Sequence, residues 1–142
     1  MPFMLYILRI IIHQVYKNYV KPALERGVTP IIVTPIARLT DDNTSESYNS
    51  PSGHITNDVV VGNNIFKGGD YRKALIDMSN QLGLEYIDLT EKTIDLNIEM
   101  GNDARYLYAY TGAKKEGDKL VPKGLDKTHT NLYGAKRNAY LI

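Results

Sequence analysis

Two short segments typical of strands, each preceded by an amphipathic helical pattern, constrain the fold of this chain most strongly. The first run covers residues 29–35, is rich in β-branched residues, and has no alternating polar positions. Such a run is typical of a strand that is covered on both faces, as in a parallel sheet. The second run, residues 84–89, follows a helical pattern over residues 71–82 that ends at Gly83. Because helices and strands alternate, we predict right-handed parallel crossovers and a doubly wound α/β fold.

Three further helices are predicted from apolar spacing and capping residues. Residues 13–26 place apolar side chains three and four positions apart, with Pro22 as a site for a kink or a break. Thr90 is expected to cap a helix that runs to Met100. Residues 131–141 are expected to form a closing helix.

The polar segment 38–69 is predicted to be a long loop with a small hairpin near residues 59–61, and residues 102–124 are mixed in character. In the mixed region that follows Met100, Tyr106, Tyr108 and Tyr110 alternate. This alternation fits a strand face or an exposed sugar-binding platform, and it fits core packing or self-association at least as well. Only two strands are predicted, which is too few for an independent parallel sheet.

Composition limits the classes of partner. The 142 residues suit one domain, and 17 Lys and Arg against 16 Asp and Glu give a net charge of +1. That balance gives no electrostatic reason to expect nucleic acid or an anionic membrane surface as a partner. There are no cysteines, so disulfides, thiolate nucleophiles and cysteine-bound metals are excluded. Asp41, Asp42 and Asp58 do not have the spacing of a Ca²⁺ loop, so we expect a solvated loop there and no metal.

The N-terminal residues 1–12 are apolar, but they lack the basic start and the small residues of a signal peptide. Arg9 and His13 interrupt the run too early for a membrane span. We therefore expect a buried helix or strand here. The chain as it stands is expected to be cytoplasmic, although its compartment is left open.

The segment most informative about chemistry is the Asp-x-x-His sequence formed by Asp126 and His129, just before the closing helix. An acid at this spacing can accept a hydrogen bond from one ring nitrogen and leave the other free to take a proton from a nucleophile. The spacing alone is common, and a polar loop with a helix cap is an equally good interpretation of it.

The wider context of this segment resembles a known family. Asp-x-Thr-His followed by Asn-x-Tyr-Gly-Ala (residues 131–135) is similar to the last sequence block of SGNH (GDSL-like) hydrolases, most of all the rhamnogalacturonan acetylesterase branch. The resemblance extends over about residues 15–142, with 38–69 poorly matched. The upstream segments that match are residues 19–27, 30–38, 70–71, 82–84 and 87–90.

The resemblance implies a flavodoxin-like, three-layer α/β/α sandwich in which His129 is the general base and Asp126 its orienting acid. The family's nucleophilic serine lies in a Gly-Asp-Ser block, and further oxyanion donors come from a Gly residue and a Gly-x-Asn-Asp block. Neither block occurs here, and residues 101–103 (Gly-Asn-Asp) lack the intervening position. None of the serines in the loop or the second helix has the strand-to-turn context of a nucleophile: Ser45, Ser47, Ser50, Ser52 and Ser79. We therefore expect residues 1–142 to be a single, partial domain, the C-terminal portion of such an esterase without its N-terminal strands.

Two functions of different classes remain open, together with a weaker third. The first is a serine esterase that removes acetyl groups from a pectic polysaccharide or oligosaccharide, with no cofactor and no metal, and with its serine outside this chain. The second is a non-catalytic remnant or subunit that self-associates as a homo-oligomer, or binds a partner, through an exposed half-sheet. A generic small-molecule-binding α/β module is the third, and the lack of a Gly-rich phosphate loop weighs against it. The chain alone is expected not to hydrolyse esters at a meaningful rate.

Overall fold

The computed structural model describes residues 12–49, 59–61, 64–66 and 71–142. Residues 1–11 of the predicted N-terminal element and Asp58 of the predicted polar loop lie outside the described residues. From residue 12 the chain is helical, and the elements that follow, in chain order, are π1 (Tyr16–Val20), α1 (Lys21–Glu25), β1 (Ile32–Val33), α2 (Ser45–Asn49), β2 (Val59–Val61), β3 (Asn64–Phe66), α3 (Tyr71–Leu82), β4 (Tyr86–Ile87), α4 (Leu89–Met100), the 3₁₀ helix (Gly101–Leu107), β5 (Tyr108–Tyr110), β6 (Ala113–Glu116), β7 (Lys119–Pro122), β8 (Leu125–Thr130) and α5 (Leu132–Ala139).

Helices and strands are mixed along the chain, as expected for the α/β class. The sequence predicted two strands and a small hairpin near residues 59–61. The hairpin is confirmed as β2 with β3, but the number of strands was too low, because the described residues contain eight strands in four two-stranded sheets. One of these pairs, β1 with β4, is parallel, and the other three are antiparallel. Among the described helices, none has both the length and the apolar character needed to cross a membrane.

The described residues fall into two compact units, and the first comprises Met1–Pro35 and His54–Thr90. The helical segment at the beginning of this unit changes from the π type to the α type at Lys21, where π1 gives way to α1. Pro22 follows in the first turn of α1. Because the chain is already helical from residue 12, Pro22 lies inside a continuous helical run and has no backbone N–H to donate to the preceding turn. The helix ends at Gly27, which has a φ of +72°.

The parallel pair in this unit aligns Ile32 with Tyr86 and Val33 with Ile87. Its core consists of Val20, Ile32, Met78 and Leu84. Ile32 is buried, but Ile31 is 60% exposed and Val33 40% exposed. The prediction that both faces of this strand are covered is therefore wrong, because side chains alternate across a strand and only one side reaches the core.

Polar side chains at the ends of β1 and β4 are linked to each other. Asp88 accepts two hydrogen bonds from Arg72 Nε and one, at 2.7 Å, from Nη2. It also accepts one from the buried Thr34 hydroxyl, which in turn accepts from the backbone N–H of Thr90. Helix α4 begins at Leu89, so Thr90 lies within its first turn and is not the preceding cap that the sequence predicted.

The second unit comprises Ile36–Gly53 and Glu91–Ile142. Its core contains Leu39, Leu96, Ala104, Leu107 and Tyr108. The Tyr108 hydroxyl donates to the Ala37 carbonyl at 3.0 Å and accepts from Asn97 Nδ2 at 2.9 Å. Because these groups are buried and paired, they fix the backbone of Tyr108, where β5 begins.

Candidate active site

The Asp126 to His129 segment lies in strand β8, which pairs with β5. The pairing aligns Ala109 with Asp126 and then shifts register, so that Tyr108 faces Thr130. Residues 127–129 consequently have no partners across the pair and form a bulge. The sequence predicted a loop here, and the difference arises because β5 is far from β8 along the chain.

The Asp126 carboxylate closes this bulge and holds the imidazole at the same time. Its Oδ1 accepts hydrogen bonds from the backbone N–H of Thr128 at 2.8 Å and of His129 at 3.1 Å. Its Oδ2 lies 2.8 Å from His129 Nδ1. One oxygen therefore sets the backbone of the bulge, and the other orients the ring that the bulge carries.

Hydrogen bonding keeps this carboxylate ionised. The hydrogen bond from His129, followed by those from the two backbone N–H groups, lowers the pKa of Asp126 from its ordinary value. A carboxylate at Nδ1 favours the tautomer in which Nδ1 carries the proton and Nε2 does not. The His129 side chain is 76% exposed, and its Nε2 makes no hydrogen bond to the described residues. Nε2 is thus free to accept a proton from an approaching hydroxyl.

Asn131 and Gly134 attach the next helix, α5, to the strand that carries the pair. Asn131 caps α5, since its Oδ1 accepts from the Gly134 N–H at 2.9 Å. Its Nδ2 donates to the carbonyls of Tyr106 and Tyr108. Gly134 is buried against Leu107, whose carbonyl oxygen would lie 1.9 Å from an added Cβ. The Asn and the Gly of the Asn-x-Tyr-Gly-Ala pattern next to the candidate pair therefore have a structural basis.

A second contact fixes the bulge from its other side. The Lys127 ammonium pairs with the Asp41 carboxylate, and the Lys127 carbonyl accepts from the Leu39 N–H at 2.9 Å. Sequence reasoning assigned Asp41 to a solvated loop and did not identify this pair. No local pattern could have revealed it, since 86 positions separate the two residues.

The other sequence candidates are not assembled into this site. Ser45 and Ser47 lie in α2, and Ser79 is buried with its hydroxyl donating to the Leu75 carbonyl; Ser50 and Ser52 lie outside the described residues. Tyr108 is a core residue, whereas Tyr106 and Tyr110 are about half exposed. Nowhere in the described parts of the chain do three or more His, Cys, Asp or Glu side chains come together as a metal site would require.

The chain is 27% identical over 130 residues to the probable rhamnogalacturonan acetylesterase YesY of Bacillus subtilis (strain 168). The resemblance to the rhamnogalacturonan acetylesterases is confirmed. The match covers 91% of this chain and 47% of the relative, so the chain spans about half the length of that acetylesterase. No protein-family model matches the chain, and no solved structure matches it.

Proposed function

We propose that this chain supplies the acid–histidine half of a serine carbohydrate esterase that removes acetyl groups from a pectic polysaccharide. The single observation that carries the proposal is the 2.8 Å contact between Asp126 Oδ2 and His129 Nδ1, with the other ring nitrogen exposed. The acetyl ester and the pectic substrate are transferred from the acetylesterase relative.

In the proposed reaction, His129 Nε2 takes the proton of a serine hydroxyl as the serine oxygen attacks the acetyl carbonyl carbon. Collapse of the tetrahedral intermediate breaks the bond to the sugar oxygen, which receives the proton from His129 and leaves as a free hydroxyl. Water then attacks the acetyl-serine in the same way, and acetate is released. Asp126 stays ionised throughout and stabilises the imidazolium that forms at each step.

The nucleophile in this proposal comes from outside the sequence, because no Gly-Asp-Ser or Gly-x-Asn-Asp block occurs in it. The parallel contact of β1 with β4 is compatible with a larger parallel sheet and a three-layer sandwich in the assembled enzyme. We propose that a serine from outside this sequence lies beside His129 in the assembled enzyme.

A chimera tests this proposal. The segment of the Bacillus subtilis acetylesterase that matches this chain is replaced by this chain, and acetate release from acetylated rhamnogalacturonan oligosaccharides is measured. We expect the chimera to release acetate, and His129→Ala to reduce the rate by about a thousandfold or more. The matched control is His13→Ala, which removes an exposed histidine from the first helix and should leave the rate unchanged.

Two results would contradict the proposal. A folded chimera that releases no acetate, or one whose rate is unaffected by His129→Ala, removes the catalytic assignment. Release by the unmodified chain alone, abolished by His129→Ala, would instead show that the nucleophile lies within this sequence.

The exposed side of the parallel pair favours a second function, self-association. Ile31 is 60% exposed and Val33 40%, and both lie on the side of β1 opposite the buried Ile32. Apolar strand residues of this kind are typical of a contact surface. If this function is correct, the chain sediments as an oligomer, and Val33→Lys shifts it towards the monomer. A monomer at all concentrations would rule it out.

A further inference from the structure

Asn131 uses every polar group of its side chain at the end of the β8 bulge. Both hydrogen bonds donated by Nδ2 go to backbone carbonyls, at 2.8 Å to Tyr106 and at 2.9 Å to Tyr108. Its Oδ1 accepts from Gly134, and its backbone N–H donates to the Leu107 carbonyl at 3.0 Å. A helix cap needs only the Oδ1 contact, so the two donated bonds require another explanation.

The donated bonds act where the register of β5 and β8 shifts. Ala109 pairs with Asp126 at one end of the bulge, and Tyr108 pairs with Thr130 at the other. Asn131 follows Thr130 and binds the Tyr108 carbonyl directly. Tyr108 itself cannot easily move, because its ring is 2% exposed and its hydroxyl is bonded on both sides. The amide of Asn131 therefore anchors the far end of the bulge to a rigid part of the core.

His129 depends on this anchor because little else holds it. Its ring is largely exposed, and Asp126 is its hydrogen-bond partner among the described residues. The position of the ring therefore follows from the backbone of residues 127–129, whose end is fixed at Asn131.

We propose that Asn131 is a positioning residue, whose side-chain amide holds the β8 bulge in the conformation that keeps the Asp126 carboxylate on the His129 ring and on the two backbone N–H groups. The effect of Asn131 on catalysis rests on the proposed esterase function, but its effect on the hydrogen bonds of the bulge can be measured without any catalysis.

Substitution of Asn131 separates this role from helix capping. Asn131→Ser keeps an oxygen for the Gly134 N–H but cannot donate to two carbonyls, whereas Asn131→Ala loses both functions. The control is Ile94→Val, which removes one methylene from a buried position on α4 and destabilises the chain without touching the bulge.

The pKa of Asp126 is followed by ¹³C NMR of its carboxyl group in each full-length variant. In the unmodified chain we expect a pKa below the ordinary value. Asn131→Ser and Asn131→Ala should both raise it towards that value, since the three hydrogen bonds to the carboxylate loosen, and Ile94→Val should leave it where it was. An unchanged pKa in Asn131→Ser, or an equal rise in Ile94→Val, would overturn the proposal.

Two further measurements keep the outcome unambiguous. In the unmodified chain, the Asn131 side-chain amide protons should exchange with solvent more slowly than those of the exposed Asn18, and equal rates would overturn the proposal even if no variant folds. In the acetylesterase chimera, Asn131→Ser should lower kcat about tenfold or more with little change in KM. An inactive chimera with intact NMR behaviour would refute the esterase function alone.

Discussion

The Cα of Gly134 lies so close to Leu107 that a methyl group on it would stand 1.9 Å from the Leu107 carbonyl oxygen. This carbonyl also accepts a hydrogen bond from the Asn131 N–H, at the point where β8 ends and α5 begins. The close approach therefore sets the distance between α5 and the 3₁₀ helix, and with it the place at which the bulge terminates.

We predict that Gly134→Ala lowers the free energy of unfolding by about 1–3 kcal/mol, because backbone atoms must shift to admit the methyl group. Chemical denaturation measures the change. Gly124→Ala is the matched control, since its nearest neighbour is the Thr111 hydroxyl at 3.3 Å, which can move aside. Equal effects of the two substitutions would argue against the close packing at Gly134.

The hydrogen bonds of Tyr108 predict a second stability effect. Tyr108→Phe leaves the Ala37 carbonyl and Asn97 Nδ2 without the partners they have at 3.0 and 2.9 Å. Because these groups are buried, we expect a loss of about 1–3 kcal/mol in the free energy of unfolding. Tyr110→Phe, at a half-exposed tyrosine of the same strand, should change it by less than about 0.5 kcal/mol. If Tyr108→Phe leaves the free energy of unfolding unchanged, the buried hydrogen bonds of Tyr108 contribute little to stability.

Alkaline pH provides a third test. Burial raises the pKa of Tyr108 to about 12. An unfolded tyrosine ionises near pH 10, so between about pH 10 and 12 the unfolded chain releases a proton that the folded chain retains. Stability should therefore fall as the pH rises through this range. Tyr108→Phe should reduce that fall and Tyr110→Phe should not, as measured by urea denaturation at a series of pH values.

The dependence of stability on acidic pH tests the Asp126 carboxylate, whose pKa is shifted in the direction opposite to that of Tyr108. The pKa of Asp126 is lowered in the folded chain, chiefly by its hydrogen bond with His129. Its contribution to stability is present above about pH 4, the unfolded value, and is lost as the pH falls through the folded value. Asp126→Asn should therefore show a weaker acid dependence of the denaturation midpoint than the unmodified chain. The exposed Asp95 supplies the control Asp95→Asn, and identical behaviour of the two variants would contradict the assignment.

Local signals predicted the four longer helical segments, although not α2 or the 3₁₀ helix. The boundaries of α3 match the sequence prediction because Gly83, with a φ of +65°, ends the helix where a left-handed residue is needed. The closing helix begins where Asn131 supplies its cap. Each of these features depends on residues within one turn of the boundary, so the sequence alone contains the necessary information.

Long-range pairing accounts for what the sequence did not predict. The bulge in β8 exists only because β5 lies beside it, and the burial of Tyr108, unlike Tyr106 and Tyr110, depends on contacts with Ala37 and Asn97. The hairpin of β6 and β7 was missed because its strands are polar and largely exposed. Its turn did carry a signal, since Gly117, with a φ of +63°, precedes Asp118 between the two strands.

The candidate pair itself was predicted from the sequence, as the spacing of Asp126 and His129 indicated a contact that the structure places at 2.8 Å. Their catalytic roles remain a prediction. The local support for the pair, from Asn131, Gly134 and Lys127, emerges only from the folded chain.

Whether Asp126 holds His129 with Nε2 free to accept a proton can be read from ¹⁵N NMR of the His129 ring. The spectrum is recorded at alkaline pH, where a free imidazole is neutral. We predict that Nδ1 carries the proton in the unmodified chain, and that Asp126→Ala shifts the ring towards the tautomer mixture of the exposed His13. A proton on Nε2 in the unmodified chain, or a spectrum unchanged by Asp126→Ala, would show that Asp126 does not hold the His129 ring in this way.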